Sequence, residues 1–402
     1  MNKLEENFER FKYEKYVEID TLSEYIDLIK RYISWIKKEE NYCNCLKKNC
    51  VKKECKPLYR GESAKFKSPN LAGAFRSSLQ PKDNSYDDFN NNLRDYISEI
   101  VNTLLDREMH FPKSVAQHHG LETNLVDVTS NALIALFFAC KDSTKDGYVY
   151  IFEDYIDISA LFSNYGDQLS ILDELRELKN EQFIKDFFQI FNKRIYSCYI
   201  EDKLIILLEI LYKDCPLFNE LKDKVENNQI DSLIYIIIDK IGTRNERDQV
   251  IKIDDKYNLI IPDKSYIPDS NKITYANTKI YMLLLTLFLQ KYYKNPNDYL
   301  YLLTGSEKIN IIPNLFFKPA IPFERLNLQQ GGFFVQQYMY NSIDDKIYLM
   351  QHITHSRVIR IRGGSKGDII KDLDNVLNIN IATIFGDRDS IALYMNEKNN
   401  KK

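Results

Sequence analysis

The amino-acid sequence predicts an α+β fold in which one mixed α/β domain is split by a large helical insertion. Of the 13 glycines, only Gly166 and Gly242 lie within residues 156–304. All five histidines also lie outside that middle stretch. The middle carries Leu, Ile and Phe at spacings of three and four residues, which is typical of helices, whereas both flanks alternate strand and helix patterns. We therefore expect a functional site to be built from the two flanks together.

Four segments follow from these patterns. Residues 1–55 are predicted to form an N-terminal helical arm with a cysteine-rich segment. The α/β domain is predicted to comprise a first part, 56–155, and a second part, 305–402, on either side of the insertion at 156–304.

The first flank has clear strand and helix signals. Residues 57–61 are predicted to form a short strand that enters a turn. An almost wholly apolar stretch at 130–140 predicts a buried helix, and the β-branched and aromatic residues at 147–152 predict a second strand.

The middle is predicted to be helical except for a polar passage with prolines at 243–272, which suits an irregular hairpin. The predicted helices are 168–179, 180–191, 200–213, 230–241 and 275–291.

The second flank returns to mixed patterns. A strand is predicted at 357–362, a helix at 366–377, another strand at 379–385 and a closing helix at 390–398. The arginines at 357, 360 and 362 follow every second position of the first of these strands only in part, and a solvated strand face is the expected default.

Composition excludes several classes of protein. The 55 Lys and Arg residues against 58 Asp and Glu give a net charge of −3, so no overall electrostatic case exists for binding nucleic acid or a membrane. The longest apolar runs reach only about half of the ~20 residues that a bilayer requires. The charged N-terminus lacks the apolar core of a signal peptide, and we expect a cytoplasmic protein.

Four of the seven cysteines, Cys43, Cys45, Cys50 and Cys55, lie within one short lysine-rich stretch. Their spacing lacks the paired CxxC of common zinc sites, so zinc binding, free surface thiols and redox activity all stay open. The lysines form a local basic patch that leaves a nucleic-acid-modifying toxin as a minor alternative.

Three segments resemble the FRG domain family, which is named for an aromatic-Arg-Gly signature. The first is L-Y-R-G-E-S at 58–63, followed by Phe75 and Arg76. The second is A-Q-H-H-G-L-E-T-N-L-V-D-V-T-S-N at 116–131, where the family usually shows Q-H-x-G-x-x-T-R-L-x-D-W-T. The third is R-L-N-L-Q-Q-G-G-F-F at 325–334. Within the second segment, Asn124 replaces the usual arginine and Val128 the usual tryptophan.

The resemblance covers both flanks, about half of the chain, and implies a split FRG-type domain. Members of the family look like components of bacterial defence against phage and of toxin-type modules. The order of motifs is also similar to that of ADP-ribosyltransferases, an analogy that implies NAD as a candidate ligand.

The signature itself supplies the first candidate residues, Tyr59, Arg60 and Gly61. A guanidinium held on a strand suits bidentate capture of a diphosphate, and the glycine permits close approach of a ligand or of a backbone. The alternative is a structural arginine that binds backbone carbonyls. On the functional reading, Arg60→Lys should abolish function while stability barely changes.

The Q-H-H-G motif places Gln117, His118 and His119 beside a turn, with Thr123 close by. A neutral imidazole can act as a general base or orient a ligand. Neighbouring side chains point to different sides, so we expect His118 to face the site and His119 to pack or face solvent.

Asp127, Thr129 and Ser130 precede the predicted buried helix, and each is a candidate for its N-cap. Hydroxyls at a helix N-terminus also favour anions. Asp127 would oppose an anion, so we expect it to orient His118 or Arg60. A metal site built from the histidines and Asp127 matches no metal motif, and we predict no metal.

The late motif adds Arg325 and Gln330, with Glu324 as an alternative to Gln330. An amide there could hydrogen-bond a ribose hydroxyl or a base edge, and a purely structural turn into a strand is equally compatible. We expect Arg60, Gln117, His118, Thr123, Asp127 and Gln330 to converge on one cleft.

Two functional hypotheses of different classes follow. The first is an anti-phage or toxin-type effector that binds a phosphate-bearing nucleotide, with NAD as the candidate, and transfers or cleaves part of it. The second is a non-catalytic module that recognises a phage or host protein or a nucleotide signal.

Overall fold

The protein is analysed as a computed structural model. It describes residues 3–39, 56–76, 85–141, 145–177, 179–194, 311–321, 323–341 and 346–399, with a few isolated helical positions between 204 and 289.

Helices and strands alternate along both flanks of the described chain. The helices are α1 (Lys3–Tyr13), α2 (Leu22–Glu39), α3 (Ser85–Ile100), α4 (Asp106–Met109), α5 (Pro112–His118), α6 (Ala132–Cys140), α7 (Ser159–Tyr165), α8 (Ile171–Glu177), α9 (Glu181–Arg194), α10 (Glu324–Leu328), α11 (Lys366–Leu377), α12 (Ile381–Phe385) and α13 (Arg388–Asn399). The strands are β1 (Tyr16–Ile19), β2 (Leu58–Glu62), β3 (Leu125–Thr129), β4 (Gly147–Phe152), β5 (Tyr155–Asp157), β6 (Asn314–Phe317), β7 (Gly331–Val335), β8 (Tyr338–Asn341), β9 (Lys346–Met350) and β10 (Arg357–Ile361).

One mixed sheet organises the molecule and confirms the α+β class. Its eight strands run in the order β1-β10-β4-β2-β3-β7-β6-β5, and β8 and β9 form a separate two-stranded ribbon. The outermost pairs, β1 with β10 and β5 with β6, are parallel, and the inner pairs are antiparallel. Strands from both flanks are interleaved, because β10 lies between β1 and β4 and β7 lies beside β3.

Several predicted elements agree with the structure. Strand β4 and helix α11 have the predicted bounds, and β2 lies one residue further along the chain than predicted. Helix α6 begins two residues after the predicted start. In the insertion, α8 and α9 fall within or close to the helices predicted at 168–179 and 180–191.

The strand predicted at 379–385 is wrong, because these residues form the short helix α12. The Asn380 side chain accepts a hydrogen bond from the Thr383 amide at 3.1 Å, and the Thr383 hydroxyl accepts one from the Asn380 amide at 3.0 Å. This reciprocal capping satisfies donors at the helix start. Asn378 and Gly386, both with positive φ, end α11 and α12.

The sheet separates two hydrophobic cores. The first core lies under α1, α2, α6, α11 and α12, and includes Tyr59, Val149 and Ile359. The second core lies on the other face and includes Val126, Val128 and Phe334. Alternate residues of β2 and β4 therefore contribute to different cores, as strand geometry requires.

Arg357 ties the N-terminal arm to the sheet, and the prediction of a solvated arginine face is wrong at this position. Its side chain is 6% exposed, and Nε lies 2.8 Å from Oε1 of Glu153. Nη1 donates to the carbonyls of Phe11 and Lys12 at 2.6 and 2.9 Å, and the guanidinium lies over the ring of Trp35 at 4.9 Å.

Arg360 of the same strand and Arg362, just after it, are also paired. Arg360 contacts Glu18 and Asp146 at 2.5 Å each, and Arg362 contacts Glu18 at 3.4 Å. Because Glu18 belongs to β1, these ion pairs join the first and last strands of the chain at one edge of the sheet.

Arg357→Ala is expected to lower the free energy of unfolding by about 2 kcal/mol, because a charged donor to buried carbonyls is lost. Urea denaturation followed by circular dichroism measures the change. Arg31→Ala is a matched control, since Arg31 forms a half-exposed ion pair with Asp27 and should cost under about 1 kcal/mol. Equal effects of the two changes would contradict the anchoring role of Arg357.

Some predicted features lie outside the described residues. These are the four clustered cysteines, most of the predicted helices at 200–213, 230–241 and 275–291, and the hairpin at 243–272. The division into four segments stays a prediction for the same reason. Among the helices that the structure describes, none is both long enough and apolar enough to cross a membrane.

Candidate functional site

The sheet opens between β2 and β3, and Arg60 spans the opening. Strand β2 pairs with β4 at five positions but with β3 only at Tyr59 opposite Thr129. Beyond that pair, Nη1 of Arg60 donates to the carbonyl oxygen of Asp127 at 2.7 Å. Its Nε donates to Oε1 of Glu62 at 3.2 Å. The arginine side chain thus takes over the connection where the ladder of backbone hydrogen bonds ends.

Gln117 fixes the side chain of Asp127 from the end of α5. Its Nε2 donates to Oδ2 of Asp127 at 3.1 Å, and its Oε1 accepts from the Thr123 hydroxyl at 2.7 Å. The same hydroxyl accepts from the Leu125 amide at 3.1 Å, just where β3 begins. Arg60, Gln117, Thr123 and Asp127 therefore form one connected network, with the Asp127 carboxylate at its exposed end.

The turn into β7 packs against the end of β3 through backbone atoms. The Thr129 hydroxyl donates to the carbonyl of Gln329 at 2.6 Å, and the Ser130 hydroxyl donates to the carbonyl of Gln330 at 3.2 Å. Gln330 has a positive φ of 47°, a conformation that non-glycine residues rarely adopt. Gln330 therefore contacts the end of β3 through its carbonyl oxygen, and the residue is exposed to solvent.

Helix α6 is capped by Asn131, and none of the three predicted residues fills that role. The Asn131 side chain accepts from the Leu133 amide at 2.9 Å. Thr129 supports the cap from behind, because its hydroxyl accepts from the Asn131 amide at 2.9 Å. Both hydroxyls that could favour an anion, those of Thr129 and Ser130, are thus occupied as donors to the turn before β7.

His118 follows Gln117 on α5, and its ring stacks on Phe323 with centroids 4.7 Å apart and planes 20° apart. Burial lowers the pKa of His118, and the nearby His119 and Arg325 lower it further. The imidazole is therefore neutral near pH 7 and able to accept a proton. His119 is exposed, as predicted for the second histidine.

Arg325 adds a cation beside His118. Its guanidinium lies over the Phe385 ring at 4.5 Å from the centroid. Hydrogen bonds from Ser390 lower the pKa of Asp387, to which Arg325 adds a smaller effect. The sequence predictions included His118 and Arg325 but missed Phe323, Phe385 and Asp387, because their proximity depends on how α10 and α12 pack.

Tyr59 and Gly61 have packing roles, which argues against the ligand contacts predicted for them. Tyr59 is 2% exposed in the first core. A methyl group on Gly61 would lie 2.7 Å from the backbone nitrogen of Ala139 and closer still to the carbonyl oxygen of Ala135. The glycine therefore allows the α6 backbone to rest directly on β2.

The two histidines and Asp127, the possible metal site considered from the sequence, lie within the described residues. Among the residues that the structure describes, no group of three or more His, Cys, Asp or Glu side chains could hold an ion. This covers the predicted histidines and Asp127 but not the four clustered cysteines.

The contacts among Arg60, Gln117, Thr123 and Asp127 lie within the range that a family model matches. Residues 56–147 match the model of the FRG domain. The chain carries an FRG domain. Comparisons with curated proteins and with solved structures give no match.

The FRG signature of this chain has a physical explanation at each position. The aromatic residue Tyr59 fills the first core, Arg60 bridges β2 to β3, and Gly61 admits α6. Asn124, which replaces the arginine usual in the family, also has a structural role. Asn124 is 3% exposed and donates through Nδ2 to the Gln336 carbonyl at 3.1 Å, so it joins β3 to the strand beside it.

Proposed function

We propose that the FRG domain binds a phosphate-bearing nucleotide beside α5 and β3, with NAD as the candidate. The main observation behind this proposal is that the short helix α5 presents both Gln117 and His118. Gln117 binds the Asp127 carboxylate, and His118 lies beside Arg325. A fixed carboxylate suits the hydroxyls of a ribose, and a guanidinium suits the oxygens of a phosphate. The two groups together match the sugar and the phosphate of a nucleotide.

A reaction on that nucleotide follows as part of the same proposal. A neutral His118 can accept a proton from an attacking group, and Asp127 can stabilise positive charge that develops on a ribose. From the resemblance to the FRG family we further propose that the protein is an anti-phage or toxin-type bacterial effector that transfers or cleaves part of the nucleotide.

A second candidate function is a non-catalytic sensor of a phage protein, a host protein or a nucleotide signal. The observation that favours it is the engagement of Arg60 by Glu62 and by the Asp127 carbonyl. A residue placed among the catalytic candidates is thus used to hold two strands together. On this reading the ligand binds and is released unchanged.

Arg325→Gln is expected to weaken NAD binding by about 10- to 100-fold, because a charge-assisted hydrogen bond contributes about 1.5–3 kcal/mol. Asp127→Asn should weaken it by about tenfold. Isothermal titration calorimetry measures binding, and chromatography of the incubated nucleotide measures turnover. Binding with turnover supports the effector, and binding without turnover supports the sensor.

Asp368→Asn is the matched control, since this aspartate is exposed on α11 and pairs only weakly with Lys371 at 3.2 Å. It should bind NAD as the unmodified protein does. Unchanged binding in both Arg325→Gln and Asp127→Asn, with the fold intact, would refute the proposed site.

A further inference from the structure

A second polar cluster lies on the opposite face of β2 from α6, at the base of the loop 63–69. Glu62 and Asn70 stand at the two ends of this loop and are 5% and 1% exposed. The backbone N–H of Asn70 donates to Oε1 of Glu62 at 3.0 Å and so closes the loop. Asn70 has a positive φ of 59°, which aims its side chain away from a regular strand direction.

Two buried acceptors of this cluster lack a donor. Within the described part of the chain, Oε2 of Glu62 and Oδ1 of Asn70 are buried without a hydrogen-bond partner. A buried acceptor without a partner costs about 1–3 kcal/mol, and more when it is charged. Two such atoms on residues that touch each other point to a ligand that supplies N–H donors.

Aromatic rings border the same cluster. The rings of Tyr150 and His355 lie 4.8 Å apart between centroids, and Tyr148 stacks on Tyr150 at 6.3 Å. Asn70 connects the rings to the acceptors, because its Nδ2 lies 3.3 Å from Nδ1 of His355. Burial lowers the pKa of His355, so the ring is neutral near pH 7 and adds no charge.

Arg60 determines which kind of donor fits. Its Nε lies 3.2 Å from Oε1 of Glu62, so the carboxylate already has a cation beside it. A second cation would meet the guanidinium at close range, whereas an uncharged N–H group would not. The cluster therefore offers acceptor oxygens without net negative charge.

We propose that the Glu62–Asn70 cluster binds a flat, uncharged ring that bears a primary amide or amino group. The N–H donors of that group would satisfy Oε2 of Glu62 and Oδ1 of Asn70, and the ring would pack beside Tyr150 and His355. Such a ring occurs in a nicotinamide and in an adenine. The proposal does not rest on the phosphate-binding site, because neither recognition element involves a phosphate.

Paired fragments without phosphate test this on the unmodified protein. Nicotinamide is compared with methyl nicotinate, and adenine with purine, by ligand-observed NMR titration. In each pair the second compound keeps an uncharged ring but lacks the N–H₂ group. We expect one N–H₂ compound to bind at least tenfold more tightly than its partner, and the pair that responds identifies the ring. Equal binding within both pairs, or no binding of any fragment, would overturn the proposal.

Glu62→Gln provides an independent test in the full chain. Arg60 and the Asn70 amide both donate to the Oε1 position, so the glutamine oxygen must take that position and its NH₂ must replace Oε2. The preference for the N–H₂ compound should then fall at least tenfold. Glu99→Gln is the matched control, because Glu99 is exposed on α3, and it should leave the preference for the N–H₂ compound unaltered. An unaltered preference in a folded Glu62→Gln protein would reject the site, and if that variant does not fold, the fragment comparison decides.

Discussion

Arg60→Ala is expected to lower the free energy of unfolding by about 3–5 kcal/mol, the cost typical of removing one partner from a buried ion pair. The Arg60 and Glu62 side chains are only 11% and 5% exposed. Without the guanidinium, Glu62 would keep a buried carboxylate with no cation, and the carbonyl of Asp127 would lose its donor across the opening between β2 and β3. Urea denaturation monitored by circular dichroism measures the loss.

A double variant separates the cost of the uncompensated Glu62 charge from the cost of losing the bridge between β2 and β3. Arg60→Ala with Glu62→Gln removes the uncompensated carboxylate, so it should recover part of the lost stability. Arg362→Ala is the control, because this arginine is 57% exposed and its ion pairs are long. It should change stability by less than about 1 kcal/mol. A stable, normally cooperative Arg60→Ala protein would show that the bridge is unimportant.

The structure also changes the expectation for Arg60→Lys. The sequence alone predicted loss of function with little change in stability. A lysine carries one donor atom and cannot reach both Glu62 and the Asp127 carbonyl as the planar guanidinium does. We now expect stability and nucleotide binding to fall together, which melting temperature and calorimetry on the same sample would show.

Gly61→Ala is expected to lower the free energy of unfolding by about 3 kcal/mol, at the upper end for overpacking. The added methyl group would meet backbone atoms of Ala135 and Ala139, which cannot rotate away as a side chain can. Helix α6 would have to move off the sheet, and the first core would open. Thermal and urea unfolding of the purified variant measure the effect.

Gly364→Ala is the matched control for that change. A methyl group at Gly364 would meet no atom within 4 Å. It should therefore alter stability by no more than about 0.5 kcal/mol. Similar behaviour of the two alanine variants would contradict direct contact between α6 and β2.

These expectations give the FRG signature of this chain a structural meaning. Tyr59, Arg60 and Gly61 contact a core, a neighbouring strand and a helix in turn, so each residue joins β2 to a different part of the molecule. The ligand-facing groups that we propose, Asp127 and Arg325, lie in the other two motifs. Arg60 supports the Asp127 site through the backbone of β3.

Local sequence patterns were sufficient to predict elements that are buried either on one face or on most sides. Strand β4 has the bounds that its β-branched and aromatic residues predict, and helix α11 has the bounds that its helical pattern predicts. The helix α12 was predicted as a strand, since a run of Ile and Phe suits both. There the capping by Asn380 decided the structure.

Sequence patterns did not predict the edge strands. Strand β1 has four residues and pairs with β10, which lies more than 300 positions later in the chain. Nothing in so short a segment indicates its partner, because pairing gains its free energy from the strand that it meets. The same holds for the other edge strand, β5, which has three residues and pairs with β6.

The sequence by itself determined which residues could carry chemistry: the three FRG-like motifs contain Arg60, Gln117, His118, Asp127 and Arg325. The tertiary structure decided which partners each of them contacts. Arg60 meets the Asp127 carbonyl 67 positions away, and Arg325 lies beside His118 only because α10 and α12 pack near α5. A side chain's residue type sets the hydrogen bonds it can form, but the partners that burial places within about 3 Å determine which of them form.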